Sequence, residues 1–181
     1  MRARIAISGS AGVGKSTLAR RLAGDLGWPY IPEGMREYLE SGAPSLHDLG
    51  PQGVRALVLR LWDDRKEAEA RAGDAFVADR ASYDFGAFWL YYRFAEKDDT
   101  TERYFAETLD PERYDTVFLL PWNRIPLVAD GVRSSDPWVQ LHVHLLIEGM
   151  VRRNARRVVE VTAGPLEERV GAVVGALSLG R

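Results

Sequence analysis

The segment GSAGVGKS, residues 9–16, lies between an apolar run, ARIAIS at 3–8, and a stretch of helical character at 16–26. It matches G-x-x-x-x-G-K-[ST] at every fixed position, with the strand before and the helix after that such a loop requires. No other stretch constrains the fold as strongly. Gly9, Gly12 and Gly14 let the backbone turn its N–H groups inward around phosphate oxygens, and Ser10, Ala11 and Val13 complete the loop. The following helix adds the positive end of its dipole. Lys15 supplies a point charge for the β- and γ-phosphates, the Ser16 hydroxyl a ligand for Mg²⁺, and Thr17 a further phosphate contact. The loop predicts ATP and Mg²⁺ as cofactors. It says nothing of where the phosphate goes: a switch, a motor and a small-molecule kinase all start from it.

Beyond the loop, short apolar runs alternate with longer helical patterns, which predicts an α/β fold built on a parallel sheet. Five runs read as strands: 3–8, 29–32, 75–79, 115–121 and 157–162. They lack polar alternation, so helices should cover both faces and give three layers. Helices are expected at 16–26, 51–72, 83–96, 101–109, 137–153 and 165–178. In the second, Val54, Leu57, Val58 and Leu61 share a face. Asp136-Pro137 is a helix-start signal. The stretch WNRIPLVADGVRSSD, 122–136, has no clean period and reads as a mobile loop.

The 181 residues suit one domain, 1–181, with its own core. A net charge of −2 argues against a nucleic-acid partner. There are no cysteines, which excludes disulfides and thiolate metal sites and fits a reducing compartment. The N-terminus lacks the apolar stretch of about 7–15 residues found in a signal peptide. No run approaches the ~20 apolar residues that cross a bilayer. These features predict a cytoplasmic protein with no membrane partner, and they leave a homo-oligomer open.

In open parallel sheets, ligands gather beyond the carboxyl ends of the strands. The second strand runs into Glu33 and Arg36, and the third into Asp79-Arg80 and then Asp84. Asp79 is placed to hold Mg²⁺ through water or to polarise an attacking group, against the plainer reading of a helix cap. Arg80 can bind phosphate or substrate, or pair with Glu33 or Asp79. Glu33 can orient an acceptor hydroxyl and take its proton, or it can merely cap a helix that begins after it.

The stretches GSAGVGKST, PEGMREY, VADRASYDFGAFWLYY and YDTVFLLPWNRIPLVADGVRSSDP together resemble P-loop nucleoside kinases. More narrowly they resemble the AAA-type ATPase/kinase family tied to NAD metabolism, whose best-understood members phosphorylate ribosylnicotinamide. The resemblance spans roughly residues 3–162. It implies a P-loop NTPase fold with the loop strand central and a sheet order of 2-3-1-4-5. It implies the base role for Glu33 and the acid–arginine pair for Asp79 and Arg80. Ala81 stands where many such kinases have serine or tyrosine.

A kinase must exclude water during transfer. Loop 122–136 is the expected lid, with Arg133, in the family-like DG-x-R stretch, preferred over Arg124 as the cation on the transferring phosphoryl group. Among the aromatics at 83–94, Tyr83, Phe88 and Tyr92 are candidates to stack on a planar substrate ring, although core packing is the commoner use. His142 and His144 are two apart on one helix and do not form a shared metal site. RRNARR at 152–157 reads as a solvated helix end. No N-K-x-D stretch of a guanine-nucleotide switch is present, and AFVADR ends in D-R rather than the D-E of motor ATPases. The leading expectation is phosphoryl transfer from ATP to a small nucleoside-like alcohol. Lys15, Glu33, Asp79 and Arg133 are catalytic, and Ser16 and Asp79 hold the metal. Glu33, Arg36, Arg80, Tyr83, Phe88 and Tyr92 form the substrate site. Nicotinamide riboside is one acceptor. Another hydroxyl compound or a nucleotide, or a regulatory ATPase with no acceptor, are the alternatives.

Overall fold

In the computed structural model, residues 3–122, 136–162 and 164–179 are described. Five parallel strands, β1 (Ala3–Ser8), β2 (Tyr30–Ile31), β3 (Ala75–Asp79), β4 (Thr116–Leu119) and β5 (Val158–Glu160), form one sheet in the order β2-β3-β1-β4-β5. This is the expected order. The central strands are shielded on both faces, and β3 and β4 are buried almost throughout, so their sequences show no polar alternation. The strand beside the loop strand ends in register with it: Asp79 pairs with Ile7, one residue short of the end of β1. That register sets Asp79 and Arg80 next to the start of the glycine loop.

Among the described residues, seven helices complete the layers: α1 (Lys15–Leu26), α2 (Gly34–Glu40), α3 (Leu46–Ala72), α4 (Ser82–Tyr91), α5 (Asp99–Thr108), α6 (Pro137–Asn154) and α7 (Leu166–Leu179). On one face of the sheet, Ile5, Ile7, Val77 and Phe118 pack against Leu18 and Leu22 of α1 and Val170 and Val173 of α7. On the other, Ala6, Phe76, Ala78 and Val117 meet Tyr83 and Ala87 of α4 and Ile147 and Val151 of α6. A third cluster, with Trp62, Phe85, Trp89 and Tyr104, joins α3, α4 and α5.

Several boundaries differ from the sequence reading for local reasons. α3 begins earlier than 51 because Ser45 caps a preceding turn by accepting from the Asp48 N–H. Gly50, at φ 62 and ψ 177, then breaks the helix before Pro51. α4 stops at Tyr91 rather than 96, since Arg93 takes a left-handed conformation at φ 60. α5 starts at Asp99 because the Asp98 carboxylate caps it from the Thr101 N–H at 2.7 Å. α6 begins as predicted, with Pro137 in the first turn and Asp136 accepting from the Trp138 N–H at 2.8 Å. Among the described residues no helix is long and apolar enough to cross a membrane.

Candidate active site

The glycine loop passes from β1 into α1, whose N-cap is Gly14 at φ 82. Gly14 is required twice. Its conformation is left-handed, and a Cβ there would lie 2.7 Å from Nη1 of Arg169 on α7. Lys15 is buried and turns its Nζ to the Ser10 carbonyl oxygen at 2.6 Å. Burial, with the Arg80 guanidinium nearby, lowers the Lys15 ammonium to about 7. The Ser16 side of the loop is half-buried and Thr17 is exposed.

Across from the loop, four further ionisable groups converge. Glu33, Asp79, Arg80 and Asp84 are all buried, none more than 6% exposed, and all act electrostatically on Lys15. Arg80 is the hub. Its Nε donates to Glu33 Oε1 at 2.5 Å, and its Nη1 to Asp84 Oδ1 at 3.0 Å and to the Gly9 carbonyl oxygen at 3.1 Å. One guanidinium thus joins β2's end, the glycine loop and α4. Burial opposes its charge, but Glu33 and Asp84 outweigh burial and hold Arg80 more firmly protonated than an ordinary arginine. Asp84 Oδ2 also accepts from the Ser8 hydroxyl at 2.5 Å and from the Ala81 N–H at 3.2 Å. Burial raises the Asp84 carboxyl, with Arg80 and Ser8 working against it.

Arg80 has φ 75, a left-handed conformation that costs a side-chain-bearing residue on the order of 1–3 kcal/mol. Its backbone N–H donates to Ile7 O at 3.0 Å. Arg65 of α3 holds the same turn from the other side: its Nη2 donates to the carbonyl oxygens of Asp79, at 2.6 Å, and Pro32, at 3.0 Å. Glu33 is the N-cap of α2 by backbone position, yet its side chain makes no capping bond. It turns to Arg80 instead.

Asp79 shares one oxygen with the Tyr30 hydroxyl, which donates to Oδ2 at 3.1 Å. Among the described residues its Oδ1 is buried with no hydrogen-bond partner, as is the Ser10 hydroxyl in the loop. A buried carboxylate oxygen left unsatisfied beside a phosphate loop fits a water-bridged cation. Among the described residues no cluster of three His, Asp or Glu side chains forms a metal cage. Mg²⁺ ordinarily uses one or two protein ligands together with phosphates and water. Ser16 and Asp79 match that donor set.

A small pocket opens beside the hub, lined by Glu33, Met35, Val58, Leu61, Arg80, Phe85, Phe88 and Tyr92. Phe88 lies 4.8 Å from the Arg80 guanidinium, ring face toward cation. The pocket is walled by aromatic and aliphatic groups and carries its charge at one end.

Residues 4–169 match the AAA_28 family, described as an AAA domain. The chain belongs to that family. Solved structures place the same fold in several proteins. A NadR protein in complex with NR is 21% identical with a TM-score of 0.72, covering 98% of this chain and 49% of that one. The AAA_28 chain thus spans about half the length of that NadR chain. A deoxyadenosine kinase from M. mycoides with dCMP and dCDP is 16% identical, with a TM-score of 0.66 and coverage of 98% and 99%. Shikimate kinase from Acinetobacter baumannii with shikimate is 15% identical, with a TM-score of 0.63 and coverage of 100% and 96%. No curated protein matches the sequence. At these identities the likeness is one of fold, the P-loop NTPase fold with its 2-3-1-4-5 sheet.

In this AAA_28 chain, the strand-end residues Glu33, Asp79 and Arg80 lie near enough to act on the charge of Lys15, and Phe88 and Tyr92 share the pocket with Glu33 and Arg80. Tyr83 does not. Its ring packs on Tyr114 in the core, and its hydroxyl donates to the Asp110 carbonyl oxygen at 3.1 Å. Arg36 lies on α2 with Nη1 at 3.4 Å from Glu40, outside the pocket lining. Arg124 and Arg133 lie outside the described residues, as does most of the expected lid. The basic run 152–157 is a helix end and surface: Arg152 pairs with Glu148 and Glu160, and Arg156 with Glu112. Sequence reasoning missed Ser8, Arg65 and Arg169 and left Asp84 undecided. Only Asp84 carried a local signal, four residues after Arg80 at the spacing of a helical ion pair.

Proposed function

We propose that this chain is a small-molecule kinase that transfers the γ-phosphoryl group of ATP to a hydroxyl of a nucleoside-like acceptor. One observation carries the reading. Glu33 is buried at the rim of an aromatic pocket, and the arginine that holds it also contacts the phosphate loop. A carboxylate there serves an acceptor, because a phosphate site alone has no use for it.

In the proposed step, the acceptor O–H lies between Glu33 and the γ-phosphorus. Its proton passes to the Glu33 carboxylate as its oxygen bonds to phosphorus, and the bond from phosphorus to the β,γ-bridging oxygen breaks to release ADP. Lys15 and the backbone N–H groups of 9–16 hold the β- and γ-phosphates. Arg80 orients Glu33 and can contact the acceptor. Mg²⁺ held through Ser16 and Asp79 would neutralise phosphate charge. Arg133 is proposed as the lid cation on the transferring group.

Phe88 and Tyr92 suit a flat ring, which supports a nucleoside-like body over an open-chain alcohol. Nicotinamide riboside is the first acceptor to try. The test is incubation with ATP, Mg²⁺ and a panel that includes nicotinamide riboside, deoxynucleosides and shikimate, following ADP by coupled assay and product by mass. Acceptor-dependent ADP with a product heavier by one phosphoryl group is expected. Equal ADP release with and without every acceptor would instead support a regulatory ATPase.

A further inference from the structure

We propose that Arg65 is the positioning residue of the acceptor site, its guanidinium tying the β2 and β3 ends together so that Glu33 and Arg80 meet in one geometry. This rests on the kinase reading above for its functional consequence, though not for its structural content.

Arg65 is 4% exposed. All of its hydrogen bonds go to backbone carbonyl oxygens: Pro32 at 3.0 Å, Asp79 at 2.6 Å and, at the long limit, Arg80 at 3.4 Å. Among the described residues it has no carboxylate partner. Burying a guanidinium costs several kcal/mol, which ordinary stability would recover through an ion pair. Here the charge is spent on three carbonyls whose common property is position. Pro32 immediately precedes Glu33, and Asp79 and Arg80 form the turn that carries the partner of Glu33.

The backbone needs such a tie. β2 is only two residues long, so the sheet itself holds the Glu33 end of the strand by few ladder bonds. Arg80 sits at φ 75 and would relax without restraint. The Nη2 amino group reaches both chain ends at once, Nη1 points to the Arg80 carbonyl oxygen, and the face of Phe85, 5.7 Å from the guanidinium carbon, backs the planar group. A lysine in its place ends about one bond short of Nη2 and lacks the flat guanidinium that lies over Phe85, so it cannot hold both carbonyls in the same positions.

The experiment uses the full chain with Arg65→Lys, Arg65→Met and a control, Arg113→Met, which removes another arginine packed on α3 through Glu69. Turnover is measured with the acceptor found for the wild type, and amide exchange is followed at peptides 32–36 and 79–84. For Arg65→Lys we expect kcat with acceptor to fall about 10- to 100-fold, the range for a displacement near 1 Å, with the KM for ATP unchanged. Exchange should rise at both strand-end peptides and not at 9–16. Arg113→Met should retain wild-type kcat at matched folded fraction. Retention of wild-type kcat by Arg65→Lys would overturn the proposal, as would a loss that follows thermal stability in step with Arg113→Met. If Arg65→Lys fails to fold, Arg65→Met with the exchange measurement decides the same point, unchanged exchange at 32–36 and 79–84 counting against it. If the wild type phosphorylates no acceptor, the kinase reading falls, and the exchange result still judges the tie.

Discussion

Lys15 gives the strongest prediction, because its protonation should change when nucleotide binds. In the ligand-free protein, burial and Arg80 lower its pKa from 10.5 to about 7, against the pull of Glu33, Asp79 and Asp84. At pH 8 about nine-tenths of the molecules therefore hold a neutral amine. Triphosphate oxygens beside Nζ favour the ammonium and return the pKa toward its ordinary value. Binding at pH 8 should take up about 0.9 proton, and affinity should fall about tenfold, or 1.4 kcal/mol, per pH unit above 7. The assay is calorimetric titration with a non-hydrolysable ATP analogue and Mg²⁺ between pH 7.5 and 9, in buffers of different ionisation enthalpy. The phosphate's own second pKa, about 6, lies below that window. Lys15→Arg, charged throughout, should abolish the uptake. An uptake near zero at pH 8 with a flat log Kd across the range would refute the reasoning. The shift also has a sign for folding. The unfolded chain keeps this proton up to 10.5 and the folded one releases it at about 7, so this group makes ligand-free stability rise with pH between those values.

Glu33→Gln should lower kcat by about 10²- to 10⁴-fold with ATP affinity unchanged, read by steady-state kinetics; normal turnover would remove Glu33 from the base role. Gly14→Ala meets both a left-handed φ, costing about 1–2 kcal/mol, and the Arg169 guanidinium at 2.7 Å, so nucleotide affinity should drop more than fold stability, as compared by titration and melting. Trp62→Ala, at a site 1% exposed between Phe85 and Tyr104, should cost about 3–5 kcal/mol in denaturant unfolding, with nucleotide affinity preserved in the folded fraction.

What was legible in the sequence was local or periodic. GSAGVGKS announces its own geometry, since each glycine and the Lys-Ser pair has a chemical reason. Fully buried strands such as AFVAD show as apolar runs because both faces are covered. Glu33 and Arg80 were visible as strand-end charges, but their meeting depends on β2 lying beside β3, which a two-residue strand hardly announces. Tyr83 shows the limit of periodicity. α4 is apolar nearly all round and buried, so no stripe marks which of its faces meets the pocket. Tyr83 packs inward on Tyr114, and Phe88 and Tyr92 line the site. Arg65 and Arg169 were illegible for a different reason. Their partners are backbone carbonyls, and a carbonyl has no sequence signature.

The carboxylates around Lys15 give a cation a part to play in donor binding. Among the described groups that set the charge of Lys15, Arg80 is the other cation and Glu33, Asp79 and Asp84 are carboxylates, leaving one negative charge within this set when all are ionised. Burial pushes Lys15 toward neutral and Asp84 toward protonated, and moving a proton from one to the other leaves that charge unchanged. Within this set the balance is negative in either arrangement, and a triphosphate entering the buried site meets carboxylates whose charge water screens little. Asp79 is the member with a donor to offer a cation, since among the described residues its buried Oδ1 has no hydrogen-bond partner while Tyr30 donates to Oδ2. Asp79→Asn should retain the fold and the Tyr30 bond, yet raise the Mg²⁺ concentration at half-maximal nucleotide binding by about 10- to 100-fold, as for loss of a group that orients a metal's shell. A Mg²⁺ titration of analogue binding reads this directly. An unchanged midpoint in Asp79→Asn would mean that the carboxylate serves only Tyr30, and that the loop and Lys15 bind the triphosphate without it.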